Sequence, residues 1–221
     1  MTARVIAVDG PAGSGKSTVA RGVAAELGLR TLDTGAMYRS VTLAALDAGI
    51  ELADADAVTA VAEAAQVELD DGTVLLDGRD VAREIRGPEV TGAVSTVAAH
   101  PSVRAVLVAR QREWVDTHGG GVVEGRDIGT VVLPDAPLKV FLTARDDVRA
   151  ARRHRDEADA DRATAVDEVQ AAIDTRDRAD ATLGRAVRPE DAAPDALVID
   201  TSSLGADEVI ALVVEHARMT G

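Results

Sequence analysis

Short apolar runs and longer helical patterns alternate along most of this 221-residue chain. Five runs are apolar almost throughout, as expected of strands that are buried on both faces of a sheet. They span residues 4–8, 29–32, 121–123, 138–142 and 196–199. Between them lie stretches with apolar residues at every third or fourth position, which predict helices. The alternation predicts an α/β fold with a five-stranded parallel sheet flanked by helices.

Several predicted helices have recognisable ends. The first closes at Gly28, and the second opens near Asp33 and ends at Gly49. Glycine is common after a helix because it readily adopts the left-handed backbone conformation. Asp54 is expected to cap a third helix. Further helices are predicted at residues 89–99, 103–119 and 206–218, with a break at His100-Pro101.

The hydrophobic period changes between residues 67 and 81. Apolar and polar residues alternate there, around the turn signals Asp71-Gly72 and Asp77-Gly78. This predicts a small antiparallel sheet inside an otherwise parallel fold. We therefore expect a single domain over residues 1–221 whose core carries an inserted subdomain at about residues 36–119. The core itself is expected at about residues 1–35, 120–144 and 189–221.

Composition narrows the class of protein. The chain has one Trp, one Tyr, one Phe and no Cys, so the core must be aliphatic and there is no disulfide or thiolate chemistry. The formal net charge of −14 opposes nucleic acid and acidic membranes as partners. No apolar run approaches the ~20 residues of a membrane span, and the N-terminus lacks a signal-peptide pattern. We expect a soluble cytoplasmic protein.

A glycine-rich segment between the first strand and the first helix fits the phosphate-loop pattern G-x-x-x-x-G-K-[ST]. Such a loop holds an anion with inward-pointing main-chain N–H groups and the positive end of the following helix. Within it, Lys16 is expected to reach the β- and γ-phosphates, and Ser17 to occupy one position on Mg²⁺. The predicted ATP-binding residues are Gly10, Pro11, Ala12, Gly13, Ser14, Gly15, Lys16, Ser17 and Thr18.

The identity of the basic residue in this loop supports that interpretation over a plain glycine-rich turn. Only two of the 24 basic residues are lysines, Lys16 and Lys139. A chain that otherwise uses arginine places a lysine at the motif position. There a compact ammonium fits among the loop amides, whereas a planar guanidinium would not.

Two further polar segments follow predicted strands, at the sheet edge where open α/β sheets bind ligands. Asp33 and Thr34 follow the second strand, and the stretch 124–130, with Arg126 and Asp127, follows the third. Each has a structural alternative. Asp33 and Thr34 would also serve as helix caps, and residues 124–130 would also form a salt-bridged turn.

Residues 145–188 contain ten Arg against eleven Asp and Glu. Many of these charges can pair along exposed helices, so a solvated helix face is one interpretation of any single arginine. So many arginines in one excursion from a phosphate-binding core predict a lid that closes over the ligand.

Phosphate-loop proteins include transporters, GTP switches, nucleic-acid motors and small kinases. The chain has no Asn, so it lacks the Asn-Lys-x-Asp motif with which GTP switches read guanine. Nucleic-acid motors are usually larger, and the acidic balance opposes them. A compact core with an insertion and an arginine-rich lid favours a small-molecule kinase.

Five segments of the chain resemble bacterial cytidylate kinases, in the same order and over nearly the full length. The loop is generic, but the Gly-Arg-Asp-Ile-Gly-Thr-Val-Val block and the Asp-Thr-Gly-Ala-Met-Tyr-Arg segment are specific. The matching segments are residues 10–18, Leu32-Asp-Thr-Gly-Ala-Met-Tyr-Arg39, Ser95-Thr-Val-Ala-Ala with Val103-Arg104, Glu124 to Ala136, and Arg176-Asp-x-x-Asp180.

The resemblance implies transfer of the γ-phosphoryl group of ATP to CMP or dCMP in pyrimidine nucleotide metabolism, with Mg²⁺ as cofactor. The inserted subdomain would bind the nucleoside monophosphate, and Asp33 and Thr34 would belong to its site. Among the other implied residues, Ser95, Arg104 and Asp127 would read cytosine. Arg39, Arg126 and Arg185 would hold the acceptor phosphate, and Arg176 and Asp180 the pentose. Lys16, Arg126, Arg152 and Arg153 would act on the transferring group.

One departure from the family pattern leaves an alternative open. The segment from Asp180 to Pro189 is two residues longer than in the family, so Arg188 could replace Arg185 at the acceptor phosphate. A kinase for UMP, AMP or shikimate, and a nucleotide-binding regulator without catalysis, remain rival functions. The preference between CMP and dCMP stays open, and we expect a monomer.

Overall fold

The computed structural model describes residues 4–70, 72–159 and 166–220. The chain divides into two compact units, Met1–Leu29 with Val122–Gly221 and Arg30–Gly121. The second unit contains the stretch 36–119 that the sequence predicts as an insertion. Its role as a nucleotide-binding subdomain stays a prediction.

The larger sheet has five strands in the order β2-β6-β1-β7-β8, which confirms the predicted five-stranded parallel sheet. In β1 and β7, Ile6 pairs with Leu138 and Asp9 with Phe141; both β1–β7 and β7–β8 are parallel. Each strand ends one residue beyond the predicted apolar run, on a polar residue. The strands are β1 (Val5–Asp9), β2 (Thr31–Asp33), β6 (Gly121–Glu124), β7 (Leu138–Thr143) and β8 (Leu197–Asp200).

Aliphatic side chains form the core of the first unit, as the scarcity of aromatic residues predicts. Valines of two helices pack on the buried residues of β1 and β7, and Phe141 is the largest fully buried side chain among those whose burial the structure describes. Helix α1 buries Val19 and Val23, and α8 buries Val209 and Val213. The helices of this unit are α1 (Lys16–Leu27), α6 (Asp146–Asp159), α7 (Val166–Thr182) and α8 (Ala206–Met219).

The second unit combines four helices with a three-stranded antiparallel sheet, which confirms the sheet predicted from the change of period. Its strands are β3 (Val67–Asp70), β4 (Thr73–Leu76) and β5 (Arg79–Asp80). Val74 and Leu76 of β4 join a buried cluster with Leu43 and Ile85. The helices are α2 (Thr34–Asp47), α3 (Ala55–Ala64), α4 (Pro88–Ala99) and α5 (Pro101–His118), with a 3₁₀ turn at Glu84–Arg86.

The helix ends follow the local sequence. Asp33 and Asp54 accept hydrogen bonds from Ala36 N and Ala57 N, both at 3.0 Å, and so cap α2 and α3. The break before Pro101 sets the axes of α4 and α5 at 97°. Within the described residues, no single helix is long and apolar enough to cross a membrane; α4 and α5 reach that length and composition only when they are counted together.

Candidate nucleotide-binding site

The loop between β1 and α1 has a backbone that requires glycine. Gly10, Gly13 and Gly15 have φ values of 146°, 76° and 93°, which L side chains rarely adopt. A Cβ on Gly10 would overlap the carbonyl oxygen of Leu142. The loop therefore combines left-handed turns with close backbone approach, and it leads directly into the first turn of α1.

Two side chains of the loop bind its own backbone. Lys16 Nζ donates to the carbonyl oxygen of Pro11 at 2.8 Å, and Ser14 Oγ donates to the same oxygen at 3.0 Å. Lys16 is the first residue of α1, and the first turn of that helix carries no acidic residue. The ammonium and the positive end of the helix dipole thus lie together at the loop, an arrangement that attracts phosphate.

Ser17 and Glu124 place two side-chain oxygen atoms next to each other. Ser17 Oγ donates to Glu124 Oε2 at 2.8 Å, and Glu124, the last residue of β6, is 6% exposed. A hydroxyl and a carboxylate suit Mg²⁺, which prefers oxygen and takes few protein ligands when it also binds phosphates. No group of three or more His, Cys, Asp or Glu side chains that could hold a metal occurs among the residues with described positions.

Asp9, at the end of β1, organises the turn that follows β6. Its carboxylate accepts hydrogen bonds from Ile128 N at 2.8 Å and Gly129 N at 2.7 Å. Those residues begin a single π-helical turn at Ile128–Val132, an element that the sequence pattern does not predict. Asp9 therefore fixes the block containing Arg126 and Asp127 next to the phosphate loop.

Burial raises the pKa of Asp9 from 3.8 to about 6. The hydrogen bonds from Gly129 and Ile128 oppose that rise because they stabilise the carboxylate. The negative charge of Asp127 raises the pKa further, whereas the positive charge of Lys16 lowers it. Lys16, Asp9 and Asp127 therefore share one electrostatic environment, and Asp127 itself is 8% exposed.

Arg126 and Arg185 lie close to the same carboxylate of α7. Arg126 Nη1 is 3.1 Å from Asp180 Oδ2, and Arg185 Nη1 donates to Asp180 Oδ1 at 2.7 Å. The side chains of all three residues are 3–11% exposed. Arg126 also donates to Asp177 Oδ1 at 3.1 Å. Two guanidiniums of predicted acceptor-phosphate residues are thus brought together in the first unit.

The segment after α7 distinguishes Arg185 from Arg188. Helix α7 is followed by a turn in which Gly184 has a φ of 68° and Arg185 N donates to Asp180 O at 3.0 Å. The turn directs Arg185 back onto α7. Arg188 has a side chain that is 74% exposed and lies 4.0 Å from Glu190.

One of the predicted lid arginines, Arg152, is linked to the phosphate loop through Thr201. Arg152 donates to Thr201 Oγ1 at 2.8 Å and to Thr201 O at 2.7 Å, and Thr201 Oγ1 donates to Ser14 O at 3.1 Å. Arg152 Nη1 also lies 3.8 Å from the position of a Cβ on Gly15. Arg153 is half-buried in the same helix. These arginines do not form the fully solvated face that the alternative interpretation expects.

Arg149 also contacts the loop, although the sequence pattern does not single it out. It is 6% exposed and donates to Ala12 O at 3.1 Å, to Asp146 at 2.7 Å and to Asp177 at 2.5 Å. Arg176 belongs to α7, but its side chain lies outside the described part of the structure. Residues 160–165 of the predicted lid are likewise outside it.

The second unit contains the other predicted acceptor residues. Arg39 is 7% exposed and its Nη1 donates to Ile85 O and Thr91 Oγ1, both at 2.8 Å. Asp33 caps α2, as the structural interpretation predicts, and its other oxygen lies 3.4 Å from Arg86. Thr34 is buried at the start of α2, whereas Ser95 in α4 and Arg104 in α5 are half-buried. Their roles in substrate binding stay predictions.

Sequence reasoning missed several residues of this site. Asp9, Glu124 and Thr201 each end or follow a strand of the parallel sheet, and that position was a usable signal. Arg149 carried no such signal, because it is one charge among many in residues 145–188, and Asp177 lies inside the matching segment Arg176-Asp-x-x-Asp180 without being singled out there. Only their burial and their partners separate them from the solvated charges around them.

Comparisons with known proteins show what the whole chain is similar to. A family model described as cytidylate kinase matches residues 6–219. A cytidylate kinase of Mycobacterium avium (strain 104) is 53% identical over 218 residues, 97% of this chain and 93% of that protein. A cytidylate kinase of Corynebacterium efficiens is 50% identical over 215 residues, 96% of this chain and 93% of that protein.

A solved structure supports the fold. An uncharacterized protein from Eubacterium ventriosum has a TM-score of 0.56 at 11% identity, over 96% of this chain and 97% of that chain. Similarity at that identity concerns the fold alone.

Proposed function

The chain belongs to the cytidylate kinase family, and from this premise we propose that it transfers the γ-phosphoryl group of ATP to CMP or dCMP. The reaction would supply CDP or dCDP to pyrimidine nucleotide metabolism. We propose that the enzyme acts in the cytoplasm as a monomer. The observation that carries the proposal is a cluster of arginines around Asp177 and Asp180, in the unit that holds the phosphate loop. Arg149 and Arg185 are buried and Arg126 is partly buried.

The donor would bind along the loop from Gly10 to Thr18, with its phosphates on the main-chain N–H groups and on Lys16. Ser17 and Glu124 would hold Mg²⁺, which supplies charge neutralisation of the β- and γ-phosphates when it is bound. The 2.8 Å contact between their oxygens supports this assignment. Arg152 lies over the same loop, and with Arg153 it would screen the charge of the transferring group.

The acceptor needs no general base. A phosphomonoester has its second pKa near 6, so it is mostly dianionic at neutral pH and is already a nucleophile. The enzyme's task is to bring two polyanions into line while it excludes water, and it does so by positioning and charge stabilisation. Lys16, Arg126, Arg152 and Arg153 are the residues proposed to act on the transferring group.

Acceptor recognition would follow from hydrogen-bonding chemistry. The exocyclic amine of cytosine requires an acceptor, for which we propose Asp127, whereas N3 and O2 require donors, for which we propose Ser95 and Arg104. The remaining acceptor residues bind the phosphate or the pentose, or lie beside them. We propose Arg39, Arg126 and Arg185 for the phosphate, Arg176 and Asp180 for the pentose, and Asp33 and Thr34 for the same site.

A coupled assay of ADP release tests the proposal. Purified protein with Mg²⁺ and ATP would be supplied in turn with CMP, dCMP, UMP, AMP and shikimate. We expect the highest kcat/KM with CMP or dCMP. Faster turnover of UMP, AMP or shikimate would assign a different acceptor, and ATP binding without acceptor-dependent ADP release would indicate a regulator rather than a kinase.

A further inference from the structure

Arg126 and Arg149 share one carboxylate. Asp177 Oδ1 accepts from Arg126 at 3.1 Å, and Asp177 Oδ2 accepts from Arg149 at 2.5 Å. The three side chains are 8–14% exposed. Each oxygen of Asp177 is thus committed to a different guanidinium, in a setting where solvent screens charge poorly.

Arg149 is hydrogen-bonded to the phosphate loop. Arg149 Nη1 donates to Ala12 O at 3.1 Å, and the backbone of Arg149 lies directly against Gly13. Arg149 also pairs with Asp146, whose side chain is 75% exposed. Loop, Arg149, Asp177 and Arg126 therefore form a continuous series of contacts that ends on a residue proposed to bind the acceptor phosphate.

We propose that Asp177 is a positioning residue: it holds the Arg126 guanidinium in the place where the acceptor phosphate binds, and it is itself held by Arg149 on the phosphate loop. This inference rests on the proposed function. Asp177 need not touch either substrate. It neutralises part of the repulsion between two buried cations, and it fixes the direction in which the Arg126 fork points.

The chemistry of the carboxylate explains why an amide cannot replace it. An aspartate offers two accepting oxygens, one for each guanidinium, whereas an asparagine offers one oxygen and one N–H₂ donor. In Asp177→Asn, the amide donor must face Arg126 or Arg149. Arg149 retains Ala12 O and Asp146, and Arg126 retains Asp180, so we expect the arginines to move apart rather than the unit to unfold.

The test separates the phosphate of CMP from the rest of the nucleotide. We would measure the CMP dissociation constant, the cytidine inhibition constant and the ATP dissociation constant of each variant, with kcat and the melting temperature. For Asp177→Asn we expect CMP to bind about ten- to hundredfold more weakly, as for one lost charge-assisted hydrogen bond. The cytidine inhibition constant and the ATP dissociation constant are expected to change less than about threefold, because neither ligand presents the acceptor phosphate.

Two other variants define the comparison. Asp174→Asn is the matched control, since Asp174 lies one turn earlier in α7 and accepts from Gln170 Nε2 at 2.8 Å. It should bind CMP as the unaltered chain does. Asp177→Glu keeps the negative charge and both accepting oxygens but moves them by one methylene group. It should therefore weaken CMP binding less than Asp177→Asn does. If the asparagine variant does not fold, Asp177→Glu carries the same comparison of CMP with cytidine.

The outcomes are distinct. Asp177→Asn that behaves like Asp174→Asn would overturn the inference and leave the proposed function intact. Equal weakening of CMP and cytidine would also overturn it, because it would indicate general damage to the site. If the unaltered chain releases no ADP in response to CMP, the proposed function fails and this inference fails with it.

Discussion

Gly13 and Arg149 are in direct backbone contact. A Cβ on Gly13 would lie 2.7 Å from the carbonyl oxygen of Arg149 and 3.0 Å from its Cα. Both atoms belong to main chain, so neither can move aside as the end of a flexible side chain could. Helix α6, which begins the predicted lid, is therefore seated directly on the phosphate loop.

Substitution of Gly13 should be far more harmful than substitution of a glycine with similar backbone conformation elsewhere. Gly13 and Gly184 have φ values of 76° and 68°, but a Cβ on Gly184 would meet nothing within 4 Å. We expect Gly184→Ala to lower the free energy of unfolding by about 1 kcal/mol from backbone strain. Gly13→Ala adds overpacking, for a total of about 3 kcal/mol, and should weaken ATP binding. Denaturant titration and calorimetry would measure both, and equal losses would contradict the contact with Arg149.

The two lysines of the chain provide a matched test of the donor site. Lys16→Met should lower kcat by about 10²–10³, because it removes a charge that we propose acts on the transferring phosphoryl group. Lys139→Met is the control: Lys139 pairs with Asp195, whose side chain is 64% exposed, and the methionine keeps the alkyl stem. It should retain nearly full activity. Undiminished ADP release by Lys16→Met would refute the assignment of the phosphate loop.

Asp127→Asn should impair use of CMP more than binding of ATP. The substitution replaces the proposed carboxylate acceptor of the exocyclic amine of cytosine with an uncharged amide, which has one accepting oxygen instead of two, so we expect KM for CMP to rise about tenfold. KM for ATP should stay within about threefold. Asp135→Asn, on an exposed residue a few positions later, is the control. Equal effects on the two substrates would remove Asp127 from base recognition.

Substitution of Arg185 should reduce the use of CMP far more than substitution of Arg188. Arg185→Ala removes a buried partner of Asp180 and should lower kcat/KM for CMP by about 10² or more. Arg188→Ala alters an exposed side chain and should change kcat/KM for CMP less than about twofold. Steady-state kinetics of both variants decides between the two arginines. The reverse order would mean that the longer segment after α7 places Arg188, not Arg185, at the acceptor phosphate.

Asp9 should make the free energy of unfolding fall as the pH rises. Since burial raises its pKa from 3.8 to about 6, the folded protein binds this proton more tightly than the unfolded chain does. Its stabilising contribution is complete below about pH 4 and is lost as the pH rises through 6. Relative to Asp9→Asn, which does not titrate, the unaltered chain should lose about 3 kcal/mol of unfolding free energy between pH 4 and 7.

Asp195→Asn is the control for that pH series. Lys139 lowers the pKa of Asp195 through a hydrogen bond, so its contribution has the opposite sign. As the pH rises, the free energy of unfolding of the unaltered chain should therefore increase slightly relative to that of Asp195→Asn. Denaturant unfolding at several pH values measures both differences, and a flat difference for Asp9→Asn would contradict the burial of a charged Asp9.

Local signals in the sequence predicted the fold well. Apolar runs without alternation indicated buried parallel strands, and the Asp-Gly turns indicated the antiparallel sheet that contains β4. Asp33 and Asp54 were recognisable as caps because a cap bonds a backbone N–H only three residues away. The phosphate loop was recognisable for the same reason, since its conformation depends on glycines within one short segment.

The sequence alone thus determined the strands of both sheets, the loop and the family, because each depends on short-range patterns of polarity and backbone freedom. Only the tertiary structure decided which charges meet. Asp9 binds Ile128 and Gly129 across more than a hundred residues, and Asp177 joins Arg126 to Arg149. Residues 145–188 offer many equivalent charges, and burial against a particular partner, which no local pattern encodes, distinguishes a few of them from the rest.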